Sequence, residues 1–262
     1  MSTETEVQKR ARSQAEHYLD SCSEYSAPYE REKIVADWLS KESKAEDLVK
    51  DFERRAGILA KHRMLELGFG NGLHIPAFAR AGALMHGLEV NQTLLEIGKE
   101  NMRQRGIDAD LRVYDGAHMP YPDAYFDYLF ATSVLEHVSD LDAILREADR
   151  VLKSGGKFYI SFPNRWAPRE THTGFWFVGY LPRPVARQLL HVLGSNAMEE
   201  LNLHFLSYFT LRRLIRRTSL RVRFEYGHAP ILRRAIKRIL GALGLHHSVL
   251  LKTIMVILEK SA

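Results

Sequence analysis

The apolar positions of the chain fall into two textures. From residue 30 to residue 60 they recur at helical spacing among charges, with Ile34, Trp38, Leu39, Leu48 and Phe52 on the repeating positions. Beyond residue 60, short apolar runs alternate with amphipathic stretches. Met64–Leu67, Leu84–Val90, Leu111–Tyr114, Tyr128–Thr132 and Lys157–Phe162 read as strands. Ile75–Arg80, Leu94–Arg105 and Leu141–Leu152 read as helices between them, the last stopping before Gly155-Gly156, where a positive φ costs little. Residues 1–20 are polar and read as a mobile arm.

Strand–helix alternation of this kind predicts βαβ units, hence a parallel sheet with helices on both faces. The rhythm breaks between residues 163 and 203, where Pro163, Pro168, Pro182 and Pro184 stand among Trp166, Phe175, Trp176, Phe177 and Tyr180. This stretch reads as an insertion over the carboxyl ends of the strands. Thr210 is expected to cap a helix running to Arg217, and Arg221–Tyr226 and Leu250–Leu258 to be two closing strands. The expected fold class is α/β, a doubly wound, mostly parallel seven-stranded sheet with a helical N-terminal segment and an inserted cap. The expected organisation is an N-terminal arm and helices over 1–60, a ligand-binding core over 61–162, a substrate cap over 163–203, and completion of the sheet over 204–262.

Composition narrows the class. Hydrophobic residues make up 45% of the chain, enough to bury a large core and exclude a disordered protein. The net charge of +5 over 262 residues is modest and does not by itself argue for a nucleic-acid partner. Cys22 is the only cysteine, so no intrachain disulfide forms, which suits the cytoplasm. Met1–Arg12 lacks the apolar stretch of a leader peptide, and no run approaches the roughly 18 apolar residues of a spanning helix.

The candidate chemistry sits at successive strand ends, where open α/β sheets bind ligands. Glu66-Leu67-Gly68-Phe69-Gly70-Asn71-Gly72 follows the first strand and precedes a helix N-terminus, as in nucleotide-binding turns. Its G-x-G-x-G spacing is not the G-x-G-x-x-G of dinucleotide binders, which disfavours a nicotinamide dehydrogenase. Glu66 stands where it could meet an ammonium group. Glu89 ends the second strand about 20 residues on and could accept both hydroxyls of a ribose. Asp115 follows the third strand and could accept from an adenine amine, or simply close an Asx turn.

In combination these residues resemble one family. Leu65–Gly72, the stretch Asp115–Asp127, Ser133–Val138 and Leu145–Gly156 are similar to four motifs of the class I S-adenosylmethionine-dependent methyltransferases, type 11 group, with Ser154 where that group has proline. The resemblance covers residues 64–162. It implies a Rossmann-like sheet whose last strand is antiparallel, S-adenosylmethionine as cofactor, and a cofactor set of Glu66, Gly68, Gly70, Gly72, Glu89, Val90, Asn91, Asp115, Gly116, Ala117 and Thr132. In it Glu66 and the glycines hold the methionine end, Glu89 the ribose and Asp115 the adenine. It does not name the methyl acceptor. A looser similarity of segment 163–184 to enzymes of surface-polysaccharide and lipid biosynthesis ranks a small molecule, a sugar or a lipid-linked glycan first, ahead of a quinone- or polyketide-like ring. A non-catalytic cofactor-binding scaffold is the reading from another class.

A hydroxyl acceptor benefits from a general base, and histidine suits neutral pH. His137, after Glu136 beyond the fourth strand, and His172, inside the aromatic insertion, are the candidates; each also fits a packing or solvent-facing role. His204 and His118 read as structural. No histidine, aspartate or cysteine cluster shows metal-ligand spacing, the adjacent His246-His247 included, so no metal is expected. No nucleic-acid module is present. Over 231–243, an apolar stripe through Ile231, Ile236, Ile239 and Leu243 lies opposite Arg233, Arg234, Lys237 and Arg238. That pattern fits a helix in a membrane interface, and equally one packed on the sheet with a solvated basic face.

Overall fold

The strands are β1 (Arg63–Leu67), β2 (Leu84–Glu89), β3 (Asp110–Val113), β4 (Phe126–Thr132), β5 (Leu152–Pro163), β6 (Leu220–Arg223) and β7 (Thr253–Lys260). In the computed structural model, which describes residues 6–21, 28–223, 238–240, 242 and 251–261, they form one sheet in the order β3-β2-β1-β4-β5-β7-β6. The first five pair in parallel, and β7 inserts antiparallel between β5 and β6.

Alternation along the strands sends side chains to two separate cores. Leu65 and Leu67 of β1 face a core completed by α5 (Leu141–Val151) and α8 (Tyr208–Leu214). Met64 faces the other, built from α2 (Pro28–Ala56), α3 (Ile75–Arg80) and α4 (Gln92–Arg105). The N-terminal helix α2 is therefore a structural wall of the sheet. Phe52, fully buried, meets the rings of Phe78, Tyr128, Phe130 and Tyr159 with centroids 5.3–6.2 Å away.

Three local expectations are corrected. The polar arm over residues 1–20 is instead helix α1 (Glu6–Ser21). Ala11, Ala15 and Leu19, spaced by four, are buried against α2 and α4, a narrow stripe that the polar average of the segment conceals. Gln14 and Asn101 exchange side-chain hydrogen bonds at 3.0 and 3.2 Å and tie α1 to α4. Gly155-Gly156 does not follow a helix stop: β5 already begins at Leu152. Phe126 pairs with Leu152 but Tyr128 with Lys157, so these glycines lie in a bulge, with Gly155 at φ 74°. The cap of α8 is Ser207, whose Oγ accepts from the Thr210 amide at 3.1 Å.

The insertion carries α6 (Arg183–Val192) and α7 (Ala197–Glu200) around a small core of Val178, Ala186, Leu190 and Met198. Of the amphipathic stretch at 231–243, only Arg238–Leu240 and Ala242 are described; they are helical and Ile239 is exposed. The rest lies outside the described residues, as does the end of the expected strand at 224–226. Among the described residues no helix is long and apolar enough to cross a membrane.

Phe52→Ala should lower unfolding free energy by about 3–5 kcal/mol, the range for an aromatic removed from a closed core. Ile58→Ala, at an exposed position two residues beyond α2, should change it by less than about 0.5 kcal/mol. Urea unfolding of the full chain measures both. A loss below about 1 kcal/mol at Phe52 would mean that α2 only rests on the sheet.

Candidate active site

The turn after β1 needs backbone that only glycine adopts readily. Gly68, Gly70 and Gly72 all have positive φ, at 60°, 59° and 72°. Gly68 also has no room for a side chain, since a Cβ there would lie 2.6 Å from Val134 of the loop after β4. Gly70 faces open space, and a Cβ would meet only the Lys41 Nζ, at 3.6 Å. Phe69, between them, points the opposite way and is buried. Its ring fills a notch left by two further glycines: a Cβ on Gly87 of β2 or on Gly98 of α4 would lie 2.6 Å from it. The turn is thus plugged into the sheet by one ring while its backbone stays open at Gly70.

Three carboxylates surround this turn. Glu66 is buried, with Oε1 3.0 Å from His74 Nδ1 and Oε2 buried without a partner. Glu89 is buried and accepts from the Gly70 amide at 2.9 Å through Oε2, and from the Val90 and Asn91 amides at 2.9 and 3.2 Å through Oε1. Burial raises its pKa, opposed by those amides and by the charge of Lys41. Asn91 caps α4. Asp115 Oδ1 closes an Asx turn on the amides of Ala117 and His118 at 2.9 and 2.8 Å, and those two hydrogen bonds lower its pKa. The exposed Val90 stands against Gly116, where a Cβ would lie 3.4 Å from it. An apolar surface beside a carboxylate with one oxygen outside the turn suits a flat base with an exocyclic amine.

A second cluster lies past the end of β4. Thr132 ends that strand beside Ser161 of β5, and Ser133 turns the chain at φ 53°. A short 3-10 helix, Leu135–His137, follows. The end of the insertion clamps it. The His204 amide donates to the Glu136 carbonyl at 2.7 Å, His137 Nδ1 donates to the Leu201 carbonyl at 2.7 Å, and Asn202 Nδ2 donates to the His137 carbonyl at 2.8 Å. His172 arrives from the start of the insertion, its ring edge-on to His137 at 5.0 Å. Its Nδ1 lies 3.2 Å from Oε1 of Glu170, whose Oε2 accepts from the amides of His172 and Thr173. Burial would raise the Glu170 pKa, but these donors outweigh it and hold the group at about 2. Glu136 is 1% exposed and neither carboxylate oxygen has a hydrogen bond. Burial pushes it up to about 7 and pushes His137 down to about 4, the latter aided by His172.

The fold therefore brings together His137 and His172, which lie 35 positions apart in the chain. Glu136 and Glu170 belong to the same cluster, and Lys41 and Phe69 to the glycine turn; none of the four was singled out from the sequence. The Leu-Glu-His run marked Glu136, but nothing local marks Lys41 or Glu170. His118 is elsewhere, 3.0 Å from Glu147 at the surface, and His204 is structural, with Nε2 3.2 Å from Asn202 Oδ1. The expectation of no metal-ligand cluster came from spacing along the chain. In the fold, donor atoms of Glu136, His137 and His172 lie within 4.8 Å of one another, a juxtaposition that spacing does not reveal. The aromatic residues of the insertion divide. Phe175 packs on the small core, while Trp176, Phe177 and Tyr180 stay exposed, with Tyr180 edge-on to Trp166 at 5.4 Å.

A parallel sheet closed by an antiparallel seventh strand, with a glycine turn after β1 and acids ending β2 and following β3, defines a class I S-adenosylmethionine-dependent methyltransferase fold. Residues 65–160 match the family model described as a methyltransferase domain, that of the type 11 group. S-adenosylmethionine is its cofactor. Similar proteins include the ubiquinone/menaquinone biosynthesis C-methyltransferase UbiE of Cupriavidus pinatubonensis, 29% identical over 120 residues, 44% of this chain and 49% of that one. A ubiquinone biosynthesis O-methyltransferase of Brucella anthropi is 29% identical over 127 residues, 42% of this chain and 51% of that one. The chain thus spans about half the length of these curated relatives. An S-adenosylmethionine-dependent methyltransferase from Mesorhizobium loti shares the fold with TM-score 0.56 at 16% identity, over 84% of this chain and all of that one.

Gly87→Ala should displace the Phe69 ring, lowering stability by about 1–3 kcal/mol through overpacking and weakening S-adenosylmethionine binding by roughly tenfold or more, about 1.4 kcal/mol. Adding Phe69→Leu should recover part of both losses. Thermal melts and calorimetry measure them. Lower stability with unchanged cofactor affinity would show that the ring does not govern the turn.

Proposed function

We propose that this chain transfers a methyl group from S-adenosylmethionine to a hydroxyl oxygen of a small molecule, a sugar or a lipid-linked glycan, held between the end of β4 and the insertion. The observation that carries this reading is the clamped Glu136–His137–His172–Glu170 cluster. Val134, two residues before Glu136, packs on Gly68 of the cofactor turn, so the cluster adjoins the cofactor region. S-adenosylmethionine, when bound, supplies the methyl group on an electrophilic sulfonium.

The residues fit that cofactor. In this reading the unpartnered Glu66 Oε2 takes the ammonium beside the open backbone of Gly70. Glu89 takes the ribose hydroxyls with Val90 and Asn91 below it, and Asp115 takes the adenine amine over Gly116 and Ala117. Gly68 and Gly72 shape the turn and Thr132 ends the strand facing it. The chain's remaining task is to align the acceptor and remove its proton. Glu170 accepts Nδ1–H of His172, which fixes the tautomer with Nε2 as the acceptor of a proton. A carboxylate behind the ring also stabilises the imidazolium that forms, as a backbone carbonyl behind His137 does more weakly. His172 is therefore the base and His137 shapes the site beside it. Trp166, Trp176, Phe177 and Tyr180 offer ring faces at the mouth, suited to a sugar or to the apolar part of a lipid carrier. The names of the ubiquinone-pathway relatives favour a second reading, a quinone-like ring as acceptor, for which the same aromatic faces serve.

Two measurements test the assignment. Glu89→Ala should weaken S-adenosylmethionine binding by about 1.5–3 kcal/mol, the scale of a lost charge-assisted hydrogen bond; calorimetry that finds parental affinity removes the ribose role. His172→Ala should lower kcat by roughly 10²–10⁴-fold while cofactor affinity stays near parental, with Glu170→Gln intermediate. Release of S-adenosylhomocysteine with panels of sugars, glycolipids and phenolic rings identifies the acceptor. A kcat untouched by His172→Ala would leave positioning as the only contribution of this cluster.

A further inference from the structure

The buried cluster at the end of β4 has a feature that general-base chemistry does not need. Glu136 is 1% exposed, and both carboxylate oxygens are without a hydrogen bond. Burying an ionised carboxylate without a partner is costly unless a cation or a donor completes it. Two imidazoles face it without bonding to it. His172 Nε2 stands 3.7 Å from Glu136 Oε1, and His137 Nε2 stands 3.9 Å from the same atom. Both separations exceed a hydrogen bond. The reason lies on the far side of each ring. His137 gives its Nδ1 proton to the Leu201 carbonyl, and His172 gives its own to Glu170. In those tautomers each Nε2 carries a lone pair and no hydrogen, so with Glu136 ionised three acceptor atoms face one another within 4.8 Å.

Three converging lone pairs with their outer partners already in place describe a cation site. Ligating histidines are held by a carboxylate or a backbone carbonyl at the other ring nitrogen, and both kinds of support are present here. The donor set of two imidazoles and one carboxylate suits a divalent transition ion of the zinc class rather than magnesium or calcium, which prefer all-oxygen shells. Geometry allows it. A tetrahedral ion with bonds of about 2.0–2.1 Å keeps its ligands roughly 3.3 Å apart, so each imidazole must approach Glu136 by about half an ångström, and the donor atoms, now within 4.8 Å of one another, must draw together around it. The His137 and His172 side chains are 30% and 15% exposed, which leaves one side of the site open for a fourth ligand.

We propose that Glu136, His137 and His172 bind one divalent transition-metal ion, with Glu170 and the Leu201 carbonyl orienting the two histidines and the open position facing the acceptor pocket. The proposal rests on the reading of this cluster as the acceptor-activating part of the enzyme. With the ion bound, the His172 Nε2 lone pair is a ligand and no longer the proton acceptor, so the ion would take over the activating role: a hydroxyl on the open position would be acidified and give its proton to solvent water. The insertion gains a second purpose, because it delivers His172 and Glu170 and, through Leu201, fixes His137. A chain without the seated insertion holds only two of the three ligands.

The test uses the untagged full-length protein after treatment with a chelator. Cobalt(II) chloride is titrated while the visible d–d absorption is followed, and zinc chloride is then added to displace it. One equivalent of cobalt should bind with the absorption of a four- or five-coordinate site. His172→Ala and Glu136→Gln should each weaken it by about 10–100-fold, and Glu170→Gln by a smaller factor within that range. Circular dichroism and S-adenosylmethionine calorimetry check that each variant is folded. The wild-type titration stands alone should Glu136→Gln fail to fold. A wild-type protein that binds no more cobalt or zinc than His172→Ala overturns the proposal, and the cluster then completes Glu136 with a group of the acceptor instead. The two readings separate cleanly. Turnover that is metal-free but still depends on His172 removes the ion and keeps the base. Stoichiometric, variant-sensitive cobalt binding with no hydroxyl acceptor turned over keeps the ion and removes the proposed reaction.

Discussion

The ring of Phe69 in the notch between Gly87 and Gly98 is the contact on which the cofactor end of the molecule depends. Three residues of the turn around it sit at positive φ, a conformation that an isolated chain has no reason to hold. Burying an aromatic side chain contributes about 1.5–3 kcal/mol, enough to offset the ordering of one or two backbone positions at about 1–2 kcal/mol each. The two notch glycines come from β2 and α4, so the same ring registers the turn against the strand that ends in Glu89 and against the helix capped by Asn91. With the ring seated, the Gly70 amide falls 2.9 Å from Glu89. The turn, the second strand end and the helix start then move as one unit.

The acceptor end is organised differently, by chain that crosses the carboxyl edge of the sheet. Asn202, Leu201 and His204 hold the backbone and imidazole of the Leu135–His137 turn by three hydrogen bonds of 2.7–2.8 Å. Those bonds close over Glu136 and remove it from water. Without the insertion Glu136 would be a solvated acid at a strand end. With it, Glu136 becomes a buried group whose oxygens must find a partner in the site. The exposed aromatic residues Trp176 and Phe177 belong to the same segment, so one insertion both buries the chemistry and builds the mouth.

Much of this was legible in the sequence, for reasons that separate local from non-local information. The strands and the glycine turn declare themselves because a buried parallel strand is a short apolar run, and a turn that needs positive φ writes glycine into its own positions. Helix α1 was not legible, because three small or apolar residues facing a neighbour leave the segment polar on average. The bulge at Gly155 was read as a helix stop because both use the same residue for the same torsional freedom. The cluster at β4 was half legible: Glu136 and His137 are adjacent, but His172 and Glu170 reach them only through the path of the insertion. No spacing rule along the chain finds a site whose ligands are joined by a crossing loop.

The four buried or clustered glutamates can be ranked by how fully their oxygens are satisfied, and that rank separates scaffolding from ligand contact. Glu170 takes donors on both oxygens from within its own loop, so it can orient His172 but has little left to offer a ligand. Glu89 also receives amides on both oxygens, yet each oxygen of a carboxylate can accept more than one donor, which leaves capacity toward the pocket. Glu66 has one oxygen beside His74 and the other bare. Glu136 has both bare. An unpartnered buried oxygen is expensive, and a fold that keeps three of them at two strand ends needs compensation when the site is loaded. At Glu66 a cationic amine of the cofactor supplies it. At Glu136 the two groups that approach present lone pairs, in the tautomers set by the Leu201 carbonyl and Glu170. The compensation proposed there is a positive centre small enough to sit among three acceptors.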